Sequence, residues 1–292
     1  MKWDKYYNLP EIEEIRKKIK ETYSDKLVFI EETHQYFLDG VEMECVSNIT
    51  HRFKAVNSEQ MAENCVKKWQ RDQDPSYEYY GMSKEEILAK WAVKSGKACE
   101  FGTNVHAFGE SMFYYMTEQH DKILPECADR FKDGVPHPSN MHEEAVVKFW
   151  NDIPENMVPV LAETKVFNRN GTSYSGTFDI LFYYVCEEDS SKSGLVIMDY
   201  KTNEDLYKNF RRQTLLWPFN DLLDMNESFY KLQLSCYQIP LENLGFKIVG
   251  RRILWLLPTG EYKKIKIESL TDRLRDALDI PTAEEIISKN II

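Results

Sequence analysis

The chain of 292 residues, 42% hydrophobic and 13% aromatic, has apolar material for one large core or two small ones. Its formal net charge of −11 argues against coating nucleic acid by bulk attraction, though not against gripping a few phosphates through a local basic groove and metal ions. No run approaches the length of a membrane span, Met1-Lys2-Trp3-Asp4 opens no signal-peptide apolar segment, and six cysteines without CxxC pairing read as reduced thiols of a cytosolic protein.

Residues 1–26 pattern as a charged amphipathic helix with Ile12, Ile15 and Ile19 as its apolar stripe. A hairpin follows, Leu27–Ile30 and Tyr36–Leu38, with Asp39-Gly40 as a turn signal and His34 as a turn or surface histidine. Val46–Trp69 reads as helical with Ser58 as a cap, and residues 71–83 as a loop. Ser83 and Glu86 then form a capping box for a new helix through Ile87, Leu88, Trp91 and Val93. That helix is expected to give way between Gly96 and Gly102. A further helix, Asn104–Phe113, puts His106 and Glu110 one turn apart on one face. By itself His106 reads first as a core histidine bonded to a backbone carbonyl. Gly102 and Gly109, which let other elements come close, tilt it toward a site. Residues 117–142 are polar and broken by prolines, and His137 and His142 read as solvated. Glu143–Trp150 is a helix closed by Asp152-Ile153-Pro154.

The β-rich centre opens at Val160–Phe167, where Glu163 and Lys165 share one strand face, and Asn170-Gly171 turns the chain into Tyr174–Phe182. Phe178, Ile180 and Phe182 alternate on one side and Asp179 on the other. An acid inside so apolar a strand is costly unless it meets a cation or hydrogen-bond donors. After the polar 187–193 loop, Leu195–Met198 is a short apolar run of the kind buried on both faces, and it ends in Asp199-Tyr200-Lys201. With a period of two, Asp199 and Lys201 project together and Tyr200 points away. Two acids on consecutive strands, one followed by X-Lys, are explained either by a divalent metal or by a buried Asp–Lys ion pair, and the metal is the more economical.

Beyond Thr202, Phe210-Arg211-Arg212 and Leu215–Phe219, including Trp217, offer basic residues beside aromatic ones. That is what single-stranded nucleic acid requires, phosphates on Arg and bases on rings, and it is equally what a lid packed on the core would carry. The helix Phe229–Gln238 places Gln233 and Tyr237 one turn apart at the border of its core stripe. A strand pair, Ile253–Leu257 and Tyr262–Ile267, and helices around 270–278 and 283–289 complete the chain.

The ordered set Gly102-x-x-x-His106, Glu163, Gly176-Thr177-Phe178-Asp179, Asp199-Tyr200-Lys201-Thr202 and Gln233-x-x-x-Tyr237 resembles the PD-(D/E)XK nuclease superfamily. Its RecB-type exonuclease branch, which includes the mitochondrial genome-maintenance exonuclease and many phage nucleases, is the nearest likeness. The motifs cover roughly residues 96–240. Phe178 stands where many members have proline, and the cysteine cluster of the iron–sulfur members is missing, since no cysteine follows Cys236. The resemblance therefore implies no iron–sulfur cluster. It implies an α/β (α+β) restriction-endonuclease-like core, a mixed central sheet flanked by helices, within one domain. Residues 1–95 would be an N-terminal elaboration, 96–267 the nuclease core and 268–292 C-terminal helices. It further implies Mg²⁺ or Mn²⁺ on His106, Asp179, Asp199 and the Tyr200 backbone carbonyl, with Glu163 near the metal or its waters. Lys201 would orient or deprotonate the attacking water, and Gln233 and Tyr237 would steady Lys201 and the scissile phosphate.

The expected activity is metal-dependent DNA exonuclease hydrolysis, on single strands or ends, in replication, repair or recombination within a bacterial or phage-infected cell. An endonuclease on the same core, and a non-cleaving scaffold with a nuclease fold, are the alternatives. No GxxxxGK[ST] motif occurs, so unwinding would need a helicase partner; a single-strand-binding or annealing protein would be a natural companion, and no membrane is implied.

Overall fold

The computed structural model describes residues 1–292 apart from Glu32, Phe210 and Arg211. Helix α1 (Pro10–Ile19) buries Ile12, Ile15 and Ile19 as the stripe requires, and Pro10 opens it, where a missing N–H costs nothing. A short π turn, Lys20–Ser24, leads into a small antiparallel sheet, β1 (Leu27–Ile30), β2 (Gln35–Leu38) and β3 (Val41–Met43), in the order β1-β2-β3. Asp39 and Gly40 both take positive φ, 54° and 78°, and join β2 to β3, a strand the sequence pattern did not reveal.

The helix expected over 46–69 is two helices, α2 (Val46–His51) and α3 (Ser58–Asp72), because the Asn57 side chain accepts the Gln60 N–H and starts a new one. Conversely, the break expected between Gly96 and Gly102 is not there. Helix α4 (Lys84–Met116) opens at the Ser83–Glu86 capping box and runs 33 residues through both glycines. Each glycine costs about 1 kcal/mol relative to alanine, which so long a helix absorbs. Helix α5 (Met141–Asp152) is capped by Asn140 and stops at Ile153, the residue before a proline.

Five strands make the main sheet: β4 (Met157–Asn168), β5 (Tyr174–Tyr184), β6 (Gly194–Lys201) and, after helix α6 (Asn226–Asn243), β7 (Ile248–Leu256) and β8 (Tyr262–Lys266). Their order is β4-β5-β6-β7-β8, antiparallel except for the parallel β6–β7 pair. A parallel neighbour needs a long crossover, and the 203–225 loop with α6 supplies it. Short helices α7 (Thr271–Ala277) and α8 (Ala283–Lys289) pack on α6. The protein is thus mixed α/β, a five-stranded mixed sheet and a three-stranded sheet flanked by helices. Phe149 and Trp150 of α5 meet Phe182 and Tyr200 in the core, while α6 lays Tyr230 over Lys201 on the other side of β6. Among the described residues no helix is long and apolar enough to cross a membrane.

Candidate metal centre

The site begins where β5 and β6 stop pairing. Their last register partners are Ile180 and Met198. Beyond that point Asp179 Oδ2 accepts the Tyr200 N–H at 2.6 Å, so a buried carboxylate takes the backbone donor that a ladder carbonyl would otherwise hold. Tyr200 itself points away, as the period of two requires. Trp150 Nε1 donates to its hydroxyl at 2.9 Å, and its ring lies so close to Gly109 that a Cβ there would come within 2.5 Å. The glycine is what lets α4 approach the strand end and bring His106 with it.

Three side chains from three elements converge there. His106 Nδ1 lies 3.3 Å from Asp179 Oδ2 and 3.9 Å from Glu163 Oε1, and one ligand atom from each falls within 4.8 Å of the others. Glu163 is held with φ 39°, a left-handed conformation that costs a non-glycine residue about 1–3 kcal/mol. Such strain persists only where the surroundings over-determine it.

Charge explains why these groups need one another. Burial alone would push the His106 imidazole down, but the Asp179 and Glu163 carboxylates outweigh it and hold its pKa well above the usual value. Burial would raise Asp179, yet His106, Lys201 and the Tyr200 N–H together bring it below the ordinary carboxylate range. Glu163 gains less: burial, with the charges of Asp179 and Glu110 adding to it, pushes it up to about 8. Asp199 is 1% exposed, and burial followed by the Asp179 charge pushes it up to about 6 in spite of Lys201.

Asp199 lies outside the trio. Its Oδ2 is ion-paired with Lys201 Nζ, and its buried Oδ1 has no hydrogen-bond partner among the described residues. Burial would lower the Lys201 ammonium, but Asp199, Tyr230 and Asp179 raise it, so it stays charged. The buried Asp–Lys ion pair is thus present, and the three side chains that could hold a metal ion are His106, Glu163 and Asp179. A divalent cation fits the donor set: one imidazole nitrogen, carboxylate oxygens and an orphaned carboxylate oxygen beside them. Oxygen donors suit Mg²⁺, and the imidazole favours Mn²⁺. Glu163, expected near the metal or its waters, stands among the potential ligands themselves.

Helix α6 closes the site. Gln233 Nε2 donates to the Tyr237 hydroxyl at 3.0 Å, and the Asp199 charge raises the buried Tyr237 hydroxyl's pKa after burial itself. Gly176 leaves room for that ring, since a Cβ there would meet Tyr237 at 2.8 Å. Sequence reasoning missed Tyr230, whose ring lies 4.6 Å from Lys201 Nζ and whose hydroxyl donates to Asn203 Oδ1 at 2.6 Å. The signal was available: Tyr230, Gln233 and Tyr237 lie at i, i+3 and i+7, on one helix face. Glu110, one turn from His106 on α4, is half-buried, and Tyr114 donates to it at 3.0 Å.

The 203–225 loop is part packed and part exposed. Leu206, Leu215 and Phe219 are buried, whereas Leu216 is 46% and Trp217 80% exposed. Arg212 is exposed at φ 54°, and Arg211 lies outside the described residues. Neither Arg212 nor Trp217 joins the metal-ligand cluster. Lys165, which shares a strand with Glu163, donates instead to the Leu27 carbonyl at 2.6 Å and ties β1 to β4.

No family model matches the chain, and no curated protein does.

Proposed function

We propose that this chain is a metal-dependent deoxyribonuclease with a PD-(D/E)XK core, an exonuclease acting on single-stranded DNA or DNA ends. The observation that carries the reading is the convergence of His106, Glu163 and Asp179 donor atoms within 4.8 Å, with the Asp199–Lys201 pair alongside. A phosphodiester is anionic and repels a nucleophile, so its hydrolysis needs positive charge at the phosphoryl oxygens and a water held in line. When bound, Mg²⁺ or Mn²⁺ supplies Lewis-acid neutralisation of those oxygens and acidifies water.

The chain's own residues do the rest. His106, Asp179 and Glu163 would hold the cation, joined by the free Oδ1 of Asp199 and the Tyr200 carbonyl. Lys201, kept protonated by Asp199, would donate to the attacking water and offset charge gathering on the phosphate. Tyr237, oriented by Gln233, would donate to a phosphate oxygen, and Tyr230 would fix the Lys201 ammonium by its ring face. Strands opened or coated by a separate protein, in replication, repair or recombination, would be its substrate.

DNA labelled at either end, single- and double-stranded, tests this with Mg²⁺, Mn²⁺ or EDTA. A mononucleotide ladder from one end that vanishes in EDTA is the expected result. Internal fragments or cutting of a closed circle would indicate an endonuclease, and retardation without cleavage a scaffold.

A further inference from the structure

The register of the last three strands sets a row of side chains beside the proposed site. Lys201 of β6 is partnered by Trp255 of β7, and Trp255 by Lys263 of β8. Register partners share a face and neighbouring strands lie about 4.8 Å apart, so the row runs from the site to the edge of the sheet. Contacts confirm the common face. Tyr230 covers Lys201 at 4.6 Å and donates to Asn203 Oδ1, while Trp255 Nε1 donates to the Asn203 carbonyl at 2.7 Å. Lys263 Nζ lies 5.2 Å from the Trp255 ring. On the outer side Tyr207, 47% exposed, meets the Trp255 ring edge-on at 6.2 Å. Lys264 belongs to the opposite face, 5.6 Å from the Tyr262 ring that packs on Phe149.

We infer that Trp255, Tyr207 and Lys263 form a track for a single nucleic-acid strand, receiving the nucleotide next to the scissile phosphate. A half-buried indole with its N–H already satisfied offers a π surface and no unmet polar demand. Tyr207 adds a second, exposed ring set nearly at right angles to the indole, and Lys263 meets a phosphate about two strand spacings from Lys201. Alternating ring and ammonium is the pattern that binds single strands with little sequence preference. A base pair would have to come apart to lie on it, so the track selects single-stranded substrate.

This inference rests on the nuclease reading, and its test separates the two. The probe is a fluorescein-labelled oligo(dT) of twenty nucleotides, its binding followed by anisotropy with Ca²⁺ replacing Mg²⁺ across a salt series, alongside hydrolysis in Mg²⁺. Trp255→Ala is expected to weaken binding roughly ten- to hundred-fold, with Trp255→Phe retaining most of it. Lys263→Gln is expected to reduce the slope of log K against log salt by about 0.7, one phosphate contact, and Lys264→Gln to leave it alone. Should Trp255→Ala fail to fold for want of its bond to Asn203, Tyr207→Ala and Lys263→Gln carry the test. A wild-type protein that binds and cuts while these variants bind equally well overturns the track and leaves the nuclease. A wild-type protein that neither binds nor cuts removes both.

Discussion

Asp179 answers two demands with one carboxylate, since the same oxygen that faces His106 also accepts the Tyr200 N–H. Its neighbours give up their protons less readily, and that has a measurable sign. Glu163 titrates near 8 and Asp199 near 6, both above their ordinary range, so the folded protein keeps protons the unfolded chain has released. Stability then falls as pH rises from the ordinary carboxylate range through about 6 for Asp199 and on through about 8 for Glu163. His106 acts in the same direction: its raised pKa stabilises fully below the ordinary imidazole value and is lost as pH climbs through the folded one. Asp179, depressed, matters only in acid. Thermal melts of metal-free protein should therefore show Tm dropping between about pH 6 and 8, with Mn²⁺ restoring more at pH 8 than at pH 6, because the cation replaces protons. A metal-free Tm that is flat or rising over that window, with equal Mn²⁺ increments, would contradict the assignment. Asp179, Asp199 and Lys201 were legible in the sequence because charge at the end of an apolar strand is costly and local. Glu163's strained backbone was not, since nothing in Ala162-Glu163-Thr164 announces a positive φ.

Helix α4 carries His106 to the strands, and its glycines divide by what surrounds them. Gly96 has open space where a Cβ would go, whereas Gly109 has the Tyr200 ring at 2.5 Å. Gly96→Ala should stabilise the protein by about 0.5–1 kcal/mol through helix propensity alone. Gly109→Ala should destabilise it by about 1–3 kcal/mol through overpacking, and should pull His106 off the site. Urea unfolding of the two variants checks this, and loss of stability in both or neither would contradict the packing described. The same comparison shows where pattern reading stops. The apolar periods of α1, α6 and the central strands were visible, as was the Ser83–Glu86 box. The glycines of α4 signalled a break by composition, but only the Tyr200 ring on Gly109 reveals their different uses. The split of α2 from α3 turned on a single side-chain bond at Asn57, and β3 is only three residues long.

Across the molecule, acidity and site are connected. A net charge of −11 would repel a polyanion, yet part of it is the set of carboxylates, Glu163, Asp179 and Asp199, collected near His106. The sheet order makes that gathering possible, because β4, β5 and β6 are neighbours, and α4 and α6 bring His106 and Tyr237 in beside their ends. The order could be anticipated for β4 to β6, joined by short turns, but not the parallel entry of β7, which depends on how a long loop and α6 cross the sheet. A site of this composition must hold a cation to act on DNA. Titration of Mn²⁺ into wild-type protein, Asp179→Asn and Lys201→Ala, followed by the loss of the free-ion electron paramagnetic resonance signal, tests it most directly. We predict saturable binding to the wild type, its loss in Asp179→Asn, and its retention in Lys201→Ala, whose turnover on DNA should fall by several orders of magnitude. Wild-type protein that binds no Mn²⁺, or Asp179→Asn that binds it unchanged, would contradict the account.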